Sequence, residues 1–217
     1  MKFIDWFAGI GGFRRGMELA GHECVGFCEF DKYAVMSYTA MHLCTQEQLD
    51  YLATLPLRQR QKEILKEEYR NGEWYANDVR RVYAGDIPEA DCWCFGFPCQ
   101  DISIANRLQF GFQGNRSSLF FRIMYLLGQT AEEKRPTYLF IENVKNLLSV
   151  NRGWDFARLL TELDGGGTMR NGRFSILKTL ECHSTGKECS LSDVLEDAVD
   201  QKFFLSERMK TRIRFYK

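Results

Sequence analysis

Neither sign of charge is in excess in this sequence, because 29 basic residues balance 29 acidic residues over 217 positions. The balance excludes a strongly basic coat but leaves room for a local basic surface. No uncharged apolar run reaches membrane-spanning length. The segment MKFIDWFAGIGG lacks the apolar run and cleavage site of a signal peptide. We therefore expect a cytoplasmic protein without membrane contact.

Metal-ligand spacings are also missing. The eight cysteines form no C-x-x-C pair, and the three histidines fall into no ligand pattern. We predict free thiols and no bound metal. What the chain does have is apolar and aromatic content, 45% and 14% with 17 Phe, which predicts a folded globular domain.

Apolar strand-like and amphipathic helix-like segments alternate as far as residue 164. The predicted strands are 2–7, 24–29, 92–97 and 137–142, and the predicted helices are 13–20, 31–43, 117–128 and 152–164. This alternation is typical of an α/β fold with a doubly wound, mostly parallel sheet. A polar stretch at 45–70, opened by a capping box of Thr45 and Gln48, predicts a solvated helical insertion.

A glycine-rich turn, FAGIGG at 7–12, joins the first strand to the first helix. Glycines there let the backbone approach a ligand at the carboxyl end of the strand. Glu29 ends the next strand, and its carboxylate can accept hydrogen bonds from two ribose hydroxyls. The spacing fits neither G-x-G-x-x-G nor a phosphate loop, so a nucleoside-type cofactor is favoured over a dinucleotide or ATP. A plain tight turn is the alternative.

Two reactive groups follow later strands. The run GFPCQ at 96–100 delivers Cys99 into a turn at the carboxyl edge, and Pro98 fixes the backbone before the thiol. This thiol is a candidate nucleophile, with a buried apolar role as the alternative. Glu142 ends the strand 137–142, so the two groups would form an acid–base pair. A strand-end glutamate without a role is the alternative there.

In this order the motifs resemble one family, the C5-cytosine DNA methyltransferases of bacteria and phages. DWFAGIGG resembles the motif that cradles S-adenosylmethionine, and NDV at 77–79 resembles the motif whose acid contacts the adenine amino group. GFPCQDIS resembles the catalytic loop, GNRSSLFF the next motif, and ENV the motif that grips cytosine. The resemblance covers residues 1–164 and implies the Rossmann-like fold of S-adenosylmethionine-dependent methyltransferases.

The resemblance implies a role for each matched position. The implied cofactor-binding residues are Phe7, Ala8, Gly9, Ile10, Gly11, Gly12, Glu29, Asp78, Val79 and Leu119. The implied catalytic residues are Cys99 and Glu142, and the implied substrate-binding residues are Pro98, Gln100, Ser103, Asn143 and Val144. The implied partner is double-stranded DNA, bound by a protein that is monomeric when complete and acts in a bacterial or phage-infected cell, as in restriction–modification. S-adenosyl-L-homocysteine would be the product.

The implied mechanism follows from the cytosine ring, whose C5 is a poor nucleophile. Thiolate from Cys99 would add at C6 while Glu142 protonates or hydrogen-bonds N3, so that C5 can attack a methyl group. A base would then remove the C5 proton, and Cys99 would be eliminated. These atoms are out of reach inside a duplex, so the target base must be flipped out, and the segment after Cys99 would close over it.

Some family features are missing. Ala105-Asn106 stands where the family has Ala-Gly, and no Gln-x-Arg-x-Arg motif is present. We expect a catalytic domain at 1–164 and an incomplete segment at 165–217 that leads towards a target-recognition domain. We also expect little activity from this chain alone. The alternatives are an inactive module of the same fold that binds cofactor or DNA, and an RNA cytosine-C5 methyltransferase.

Overall fold

A computed structural model describes residues 1–96, 118–143 and 173–178 of the chain. Six strands lie within these ranges: β1 (Lys2–Trp6), β2 (Glu23–Cys28), β3 (Trp74–Ala76), β4 (Cys92–Gly96), β5 (Tyr138–Asn143) and β6 (Arg173–Lys178). They form one sheet in the order β3-β2-β1-β4-β5-β6. Every neighbouring pair is parallel. The predicted parallel sheet is therefore confirmed.

Helices connect and cover these strands. The described residues form α1 (Gly12–Leu19), α2 (Lys32–Tyr38), α3 (Gln46–Thr54), α4 (Leu57–Glu63) and α5 (Ser118–Gln129). One turn of π-helix, Thr39–Leu43, continues α2, and short 3₁₀ turns lie at Glu67–Arg70, Val79–Arg81, Ala84–Asp86 and Glu132–Lys134. None of the helices in the described part of the chain is long and apolar enough to cross a bilayer.

The central strands are apolar on both faces because both faces are covered. In β1, Ile4 and Trp6 belong to a core cluster that also contains Phe120 and Ile123 of α5. Phe3, one residue away, belongs to a separate cluster with Met17 of α1. Successive side chains of a strand point to opposite faces, so α1 and α5 lie on opposite sides of the sheet. This is the doubly wound arrangement that the sequence predicts.

The insertion at 45–70 is helical and largely exposed, as predicted, but it is divided and carries a buried cluster of its own. The capping box is confirmed, since Thr45 accepts a hydrogen bond from the Gln48 N–H while the Gln48 side chain accepts one from the Thr45 N–H. The stretch is not one solvated helix, however. Pro56 separates α3 from α4, and Leu52, Ile64 and Tyr69 form a small buried cluster of their own. Proline in a helix interior removes a hydrogen bond and clashes with the preceding turn, which explains the break.

Other boundaries shift by a residue or two. β1 ends at Trp6 rather than Phe7, β2 ends at Cys28 rather than Glu29, and the predicted helix 31–43 divides into α2 and the π-turn. The sequence pattern predicted neither β3 nor β6. The predicted helix 152–164 and the helix cap at Ser117 lie outside the described residues.

Candidate functional site

The carboxyl ends of four strands meet at one edge of the sheet. Trp6 of β1 is in register with Cys28 of β2 and with Phe95 of β4, and Gly96 of β4 is in register with Glu142 of β5. The turn after β1, Glu29 after β2 and Glu142 therefore lie at the same edge. Open α/β sheets bind ligands in this place.

The turn after β1 has an unusual backbone. Phe7, Gly9 and Gly11 all have positive φ values, of 56°, 56° and 93°. The left-handed region is costly for a residue with a Cβ atom, so Phe7 carries local strain, whereas the glycines adopt this conformation freely. The Gly11 N–H donates to the Ala8 carbonyl over 2.8 Å and closes the turn.

Asp5 holds the start of α1 from inside the sheet. Gly11 precedes the helix and offers no side-chain cap. Oδ2 of Asp5 instead accepts a hydrogen bond from the Arg14 N–H in the first turn, over 3.3 Å. Asp5 is fully buried, and burial raises the pKa of its carboxyl well above the usual value. Its Oδ1 has no hydrogen-bond partner among the described residues.

Arg14 ties this region to the edge strand β3. Its Nη1 donates to both carboxylate oxygens of Glu73, over 2.6 and 2.9 Å, and to the Tyr38 hydroxyl over 3.3 Å. Its Nε donates to Glu18 over 2.8 Å. Burial raises the pKa of Glu73, while the Arg14 charge opposes that rise. The Arg14 side chain is buried and Glu73 is partly buried, so this charge-assisted pair is a support beneath the turn that is shielded from solvent.

His42, in the π-turn, contacts the glycine turn after β1 from its outer side. Its Nε2 lies 2.9 Å from the Ile10 carbonyl oxygen. Because a carbonyl only accepts, Nε2 must carry the hydrogen and donate it. Burial lowers the pKa of His42. A Cβ atom added at Gly11 would overlap the His42 ring and lie 3.1 Å from the Tyr38 ring, so this glycine is required by close packing as well as by its φ value.

Glu29 is held by two backbone donors. The Gly9 N–H donates to Oε2 over 2.8 Å, and the Asp31 N–H donates to Oε1 over 2.7 Å. A carboxylate has about four acceptor positions, so each oxygen keeps capacity for a further donor. Glu29 therefore lies one residue beyond the end of β2, and its orientation is fixed by the glycine turn and by the Asp31 N–H.

Asp78 lies beyond β3, with an aromatic ring nearby. Arg80 donates to both of its oxygens, over 2.8 and 2.9 Å, and holds the pKa of the carboxyl below its usual value. The Arg80 guanidinium also lies 5.6 Å from the ring centre of Phe30, whose side chain is 72% exposed. Val79 is 3% exposed within the core cluster, against which Leu119 also packs. Val79 and Leu119 are thus part of the apolar packing, and Asp78 with Arg80 provides the polar groups at this part of the edge.

Glu142 lies over the end of β4. A Cβ atom added at Gly96 would lie 2.7 Å from its Oε2. Cys99 lies outside the described residues, but three trans peptide units limit its Cα to about 11 Å from that of Gly96. Asn143 is the last residue of β5. The other substrate-binding predictions, Pro98, Gln100, Ser103 and Val144, also lie outside the described residues.

The chemistry of this edge fits an adenosyl group. Glu29 and Asp78 offer two carboxylates suited to hydroxyl and amino hydrogens, and Phe30 offers an exposed ring face. A Cβ atom added at Gly9 would meet no atom of the described residues within 4 Å, so the turn leaves open space beside its backbone.

Sequence comparison identifies the family. The C-5 cytosine-specific DNA methylase family matches residues 1–54 and 52–177. The chain belongs to this family. Type II methyltransferase M.HhaI of Haemophilus parahaemolyticus is 37% identical over 153 residues, which cover 70% of this chain and 36% of that protein. DNA-cytosine methyltransferase of Escherichia coli K12 is 33% identical over 171 residues, 75% of this chain and 34% of that protein.

Coverage differs between members of the methylase family. Type II methyltransferase M.HaeII of Haemophilus aegyptius is 31% identical over 234 residues, 97% of this chain and 63% of that protein. The chain thus spans between about a third and two thirds of the length of these relatives. The structure of S. pombe Dnmt2 methyltransferase superposes with a TM-score of 0.51 and 17% identity, covering 76% of this chain and 42% of that one. This likeness agrees with a Rossmann-like methyltransferase fold.

Several side chains at this edge were missed by the sequence motifs. Phe30 follows Glu29 directly, and an aromatic residue just after the acid that the sequence predicts to bind ribose was the available signal. Arg80 and His42 carried no recognisable signal, because each acts through a contact made by a turn that the pattern did not predict. The buried state of Asp5 could have been suspected from its place in an apolar strand.

Proposed function

We propose that this chain carries the catalytic unit of an enzyme that methylates C5 of cytosine in DNA. The observation that carries the proposal is the position of the Glu142 carboxylate over Gly96, at the strand end that leads in three residues to Cys99. The same edge carries Glu29 and the glycine turn. The register of the sheet supports the proposal because it brings the Glu142 carboxylate to the same edge as Glu29 and the glycine turn, and Cys99 follows Gly96 by three residues in the sequence.

The cofactor side of the site is proposed to hold S-adenosylmethionine. Glu29 would accept hydrogen bonds from the ribose hydroxyls, Asp78 would accept one from the adenine amino group, and Phe30 would pack against the base. The turn at 7–12 would let the backbone approach the ligand, next to the open space at Gly9. When bound, this cofactor supplies a methyl group on a positively charged sulfur.

The chemistry at cytosine is assigned to two side chains. The Cys99 thiolate would form a bond to C6, and Glu142 would place a proton or a hydrogen bond on N3, so that the electron pair displaced from the C5–C6 bond is accommodated by the ring. C5 then becomes nucleophilic. After C5 is methylated, a base removes its proton and the bond between sulfur and C6 breaks, which returns the thiolate.

The substrate is proposed to be a cytosine flipped out of duplex DNA, since C5 and C6 are enclosed by neighbouring bases in a stacked helix. Pro98, Gln100, Ser103, Asn143 and Val144 are proposed to line the base-binding side. We retain residues 1–164 as the proposed catalytic domain, and β6 adds a strand to its sheet from the segment 165–217. The proposed setting is a monomeric enzyme in the cytoplasm of a bacterial or phage-infected cell.

Covalent trapping tests this proposal. The full chain is incubated with S-adenosylmethionine and a duplex in which 5-fluorocytosine faces a mismatched base, because a mismatch lowers the cost of flipping. Fluorine at C5 cannot be removed as a proton, so the bond to sulfur persists. Trapping needs only one turnover, so even a chain with little activity on its own accumulates the adduct. We expect a denaturation-resistant adduct with the wild-type chain and none with Cys99→Ser.

Three outcomes would contradict the proposal. The absence of an adduct with the wild-type chain at a mismatched target would argue for a binding module without turnover. An adduct that persists in Cys99→Ser would remove Cys99 from its assigned role. An RNA strand of the same sequence is run in parallel, and trapping on RNA alone would overturn DNA as the substrate.

A further inference from the structure

Arg80 donates three hydrogen bonds to the Asp78 carboxylate. Its Nε donates to Oδ1 over 2.8 Å, its Nη2 donates to Oδ2 over 2.9 Å, and its backbone N–H donates to Oδ1 over 3.0 Å. The Asp78 side chain is 10% exposed, whereas that of Arg80 is 50% exposed. The buried acid is thus fixed by a cation that reaches it from the solvent side.

The distribution of these bonds leaves one oxygen more available than the other. Oδ1 of Asp78 accepts two hydrogen bonds from the described residues, and Oδ2 accepts one. A carboxylate oxygen accommodates about two donors, so Oδ2 keeps the remaining capacity. A ligand with a hydrogen to donate meets its acceptor there, and a ligand with a carbonyl oxygen at the same place meets repulsion.

Arg80 also faces the aromatic side of the site. Its guanidinium carbon lies 5.6 Å from the Phe30 ring centre, within the range of cation–π attraction. Phe30 follows Glu29, so Arg80 bridges the acid at one side of the proposed base site and the ring at the other. Two independent contacts therefore hold the guanidinium in one place.

We propose that Arg80 is a positioning residue that determines base specificity: it fixes Asp78 as a hydrogen-bond acceptor with Oδ2 open, so that the site selects a 6-amino purine nucleoside over its 6-oxo analogue. The proposal rests on the cofactor site of the proposed function and goes beyond it by assigning the selectivity to a contact between Arg80 and Asp78.

The surrounding charges set the direction of the pH dependence. Arg80 is the largest influence that lowers the pKa of Asp78, Arg81 adds to it, and burial opposes both. The Cys28 thiol at the end of β2 is a further titratable neighbour. Arg122 of α5 donates to two carbonyls of the turn that follows Asp78. Removing the Arg80 side chain removes the largest influence that lowers the pKa of Asp78, so that pKa rises and the protonated carboxyl, which donates rather than accepts, forms at a higher pH than in the wild type.

Calorimetry with the full chain tests the proposal. S-adenosylhomocysteine and its 6-oxo analogue S-inosylhomocysteine are titrated between pH 5 and pH 8 into the wild type, Arg80→Gln, Arg80→Lys and the control Arg81→Gln. Wild-type preference for the 6-amino ligand should be constant across this range. Arg80→Gln should bind that ligand roughly tenfold to a hundredfold more weakly, as expected when a charged hydrogen-bond acceptor loses its support. Its preference should also shrink as pH falls.

The other variants separate positioning from charge. Arg80→Lys keeps the positive charge but lacks the planar guanidinium with its two donors. Its affinity for the 6-amino ligand and its preference over the 6-oxo ligand should lie between those of the wild type and Arg80→Gln. Arg81→Gln removes the same charge one residue away and should keep the wild-type preference. Urea unfolding of each variant shows whether a loss of binding comes from a loss of folding. If Arg80→Gln is unfolded, the wild type is compared with Arg80→Lys instead.

Several results would overturn the proposal. Unchanged preference and an unchanged pH profile in Arg80→Gln would overturn the role of Arg80 and leave the proposed function standing. Equal effects of Arg80→Gln and Arg81→Gln would replace positioning with a general charge effect. Failure of the wild-type chain to bind either ligand would overturn the cofactor site itself, and the role of Arg80 with it.

Discussion

Oε2 of Glu29 accepts a hydrogen bond from the Gly9 N–H over 2.8 Å, which joins the turn after β1 to the end of β2. The Asp31 N–H binds the other oxygen over 2.7 Å. The same carboxylate that is proposed to hold a ribose therefore also fixes the shape of the glycine turn. Ligand affinity and the conformation of the turn are coupled through one side chain.

Gly11 provides a test of the contact with His42. Gly11→Ala places a methyl group against the His42 ring at a φ of 93°, whereas Gly21→Ala places one at a φ of 79° with no atom of the described residues within 4 Å. Both variants carry backbone strain, so their difference isolates the overlap. We expect Gly11→Ala to lower the free energy of unfolding by about 1–3 kcal/mol more than Gly21→Ala, as overpacking does.

Urea unfolding measures this difference. The double variant Gly11→Ala with His42→Ala tests whether the His42 ring causes the loss. Removing the ring should recover much of the lost stability. Equal losses in Gly11→Ala and Gly21→Ala would show that His42 does not confine the turn.

Gly96 provides a test of the position of Glu142. Gly96→Ala adds a methyl group 2.7 Å from Oε2 of Glu142, so the carboxylate must move. A displacement of about 1 Å can reduce a reaction rate by about a hundredfold. We expect covalent trapping on 5-fluorocytosine duplex to slow by that order, while calorimetry shows S-adenosylhomocysteine binding close to wild type.

Gly128→Ala is the matched control, because a methyl group on this exposed face of α5 meets no atom of the described residues within 4 Å. It should leave trapping unchanged. A normal trapping rate in Gly96→Ala would show that the position of the Glu142 carboxylate does not affect the rate of the reaction with cytosine.

Asp5 predicts a defined pH dependence of stability. Its pKa in the folded chain is raised above the ordinary value of 3.8, so the folded state favours the protonated form. The stability it contributes is complete below the unfolded pKa and is lost as pH rises through the folded pKa. Asp5→Asn mimics the neutral carboxyl. As pH rises from the unfolded pKa to the folded pKa, the free energy of unfolding of Asp5→Asn should increase relative to that of the wild type, by at most about 1.4 kcal/mol per pH unit.

Chemical unfolding of both chains from pH 4 to pH 8 measures the difference, and Asp86→Asn on the surface controls for the loss of one charge. Parallel pH profiles for the wild type and Asp5→Asn would mean that the Asp5 carboxyl is ionised in the folded chain.

The sequence was sufficient for the central part of the fold. Continuous apolar runs such as CWCFGF at 92–97 predict buried parallel strands, and burial of Cys92, Trp93, Cys94 and Phe95 confirms this. β3 was missed because three residues at the edge of the sheet carry too short a pattern. β6 has alternating apolar residues at Phe174 and Ile176, but the glycine-rich stretch before it suggested a break in the fold.

For the site, the glycine turn, Glu29 and Glu142 could be indicated from the sequence because each directly follows or ends a predicted strand, whereas Asp78 was indicated only by the resemblance of NDV at 77–79, since β3 before it was not predicted. The contacts between them were not predictable. Whether Arg80 reaches Asp78 depends on the 3₁₀ turn at Val79–Arg81, and whether His42 reaches Ile10 depends on a π-turn that displaces the end of α2. The 3₁₀ turn is capped locally by the Asp78 side chain, which accepts from the Arg80 N–H, and both kinds of turn are too short to give a periodic sequence pattern.

The most direct measurement is calorimetric binding of S-adenosylhomocysteine to the full chain, compared between the wild type, Glu29→Gln and Glu23→Gln. The two carboxylate oxygens of Glu29 each accept from a backbone N–H, so Glu29→Gln places an amide N–H₂ against one of these donors, whereas Glu23 is an exposed residue at the start of β2. We predict one binding site in the wild type, wild-type affinity in Glu23→Gln, and a roughly tenfold to hundredfold loss in Glu29→Gln. Equal affinities in all three chains, or no binding in the wild type, would contradict the assignment of this sheet edge as the cofactor site.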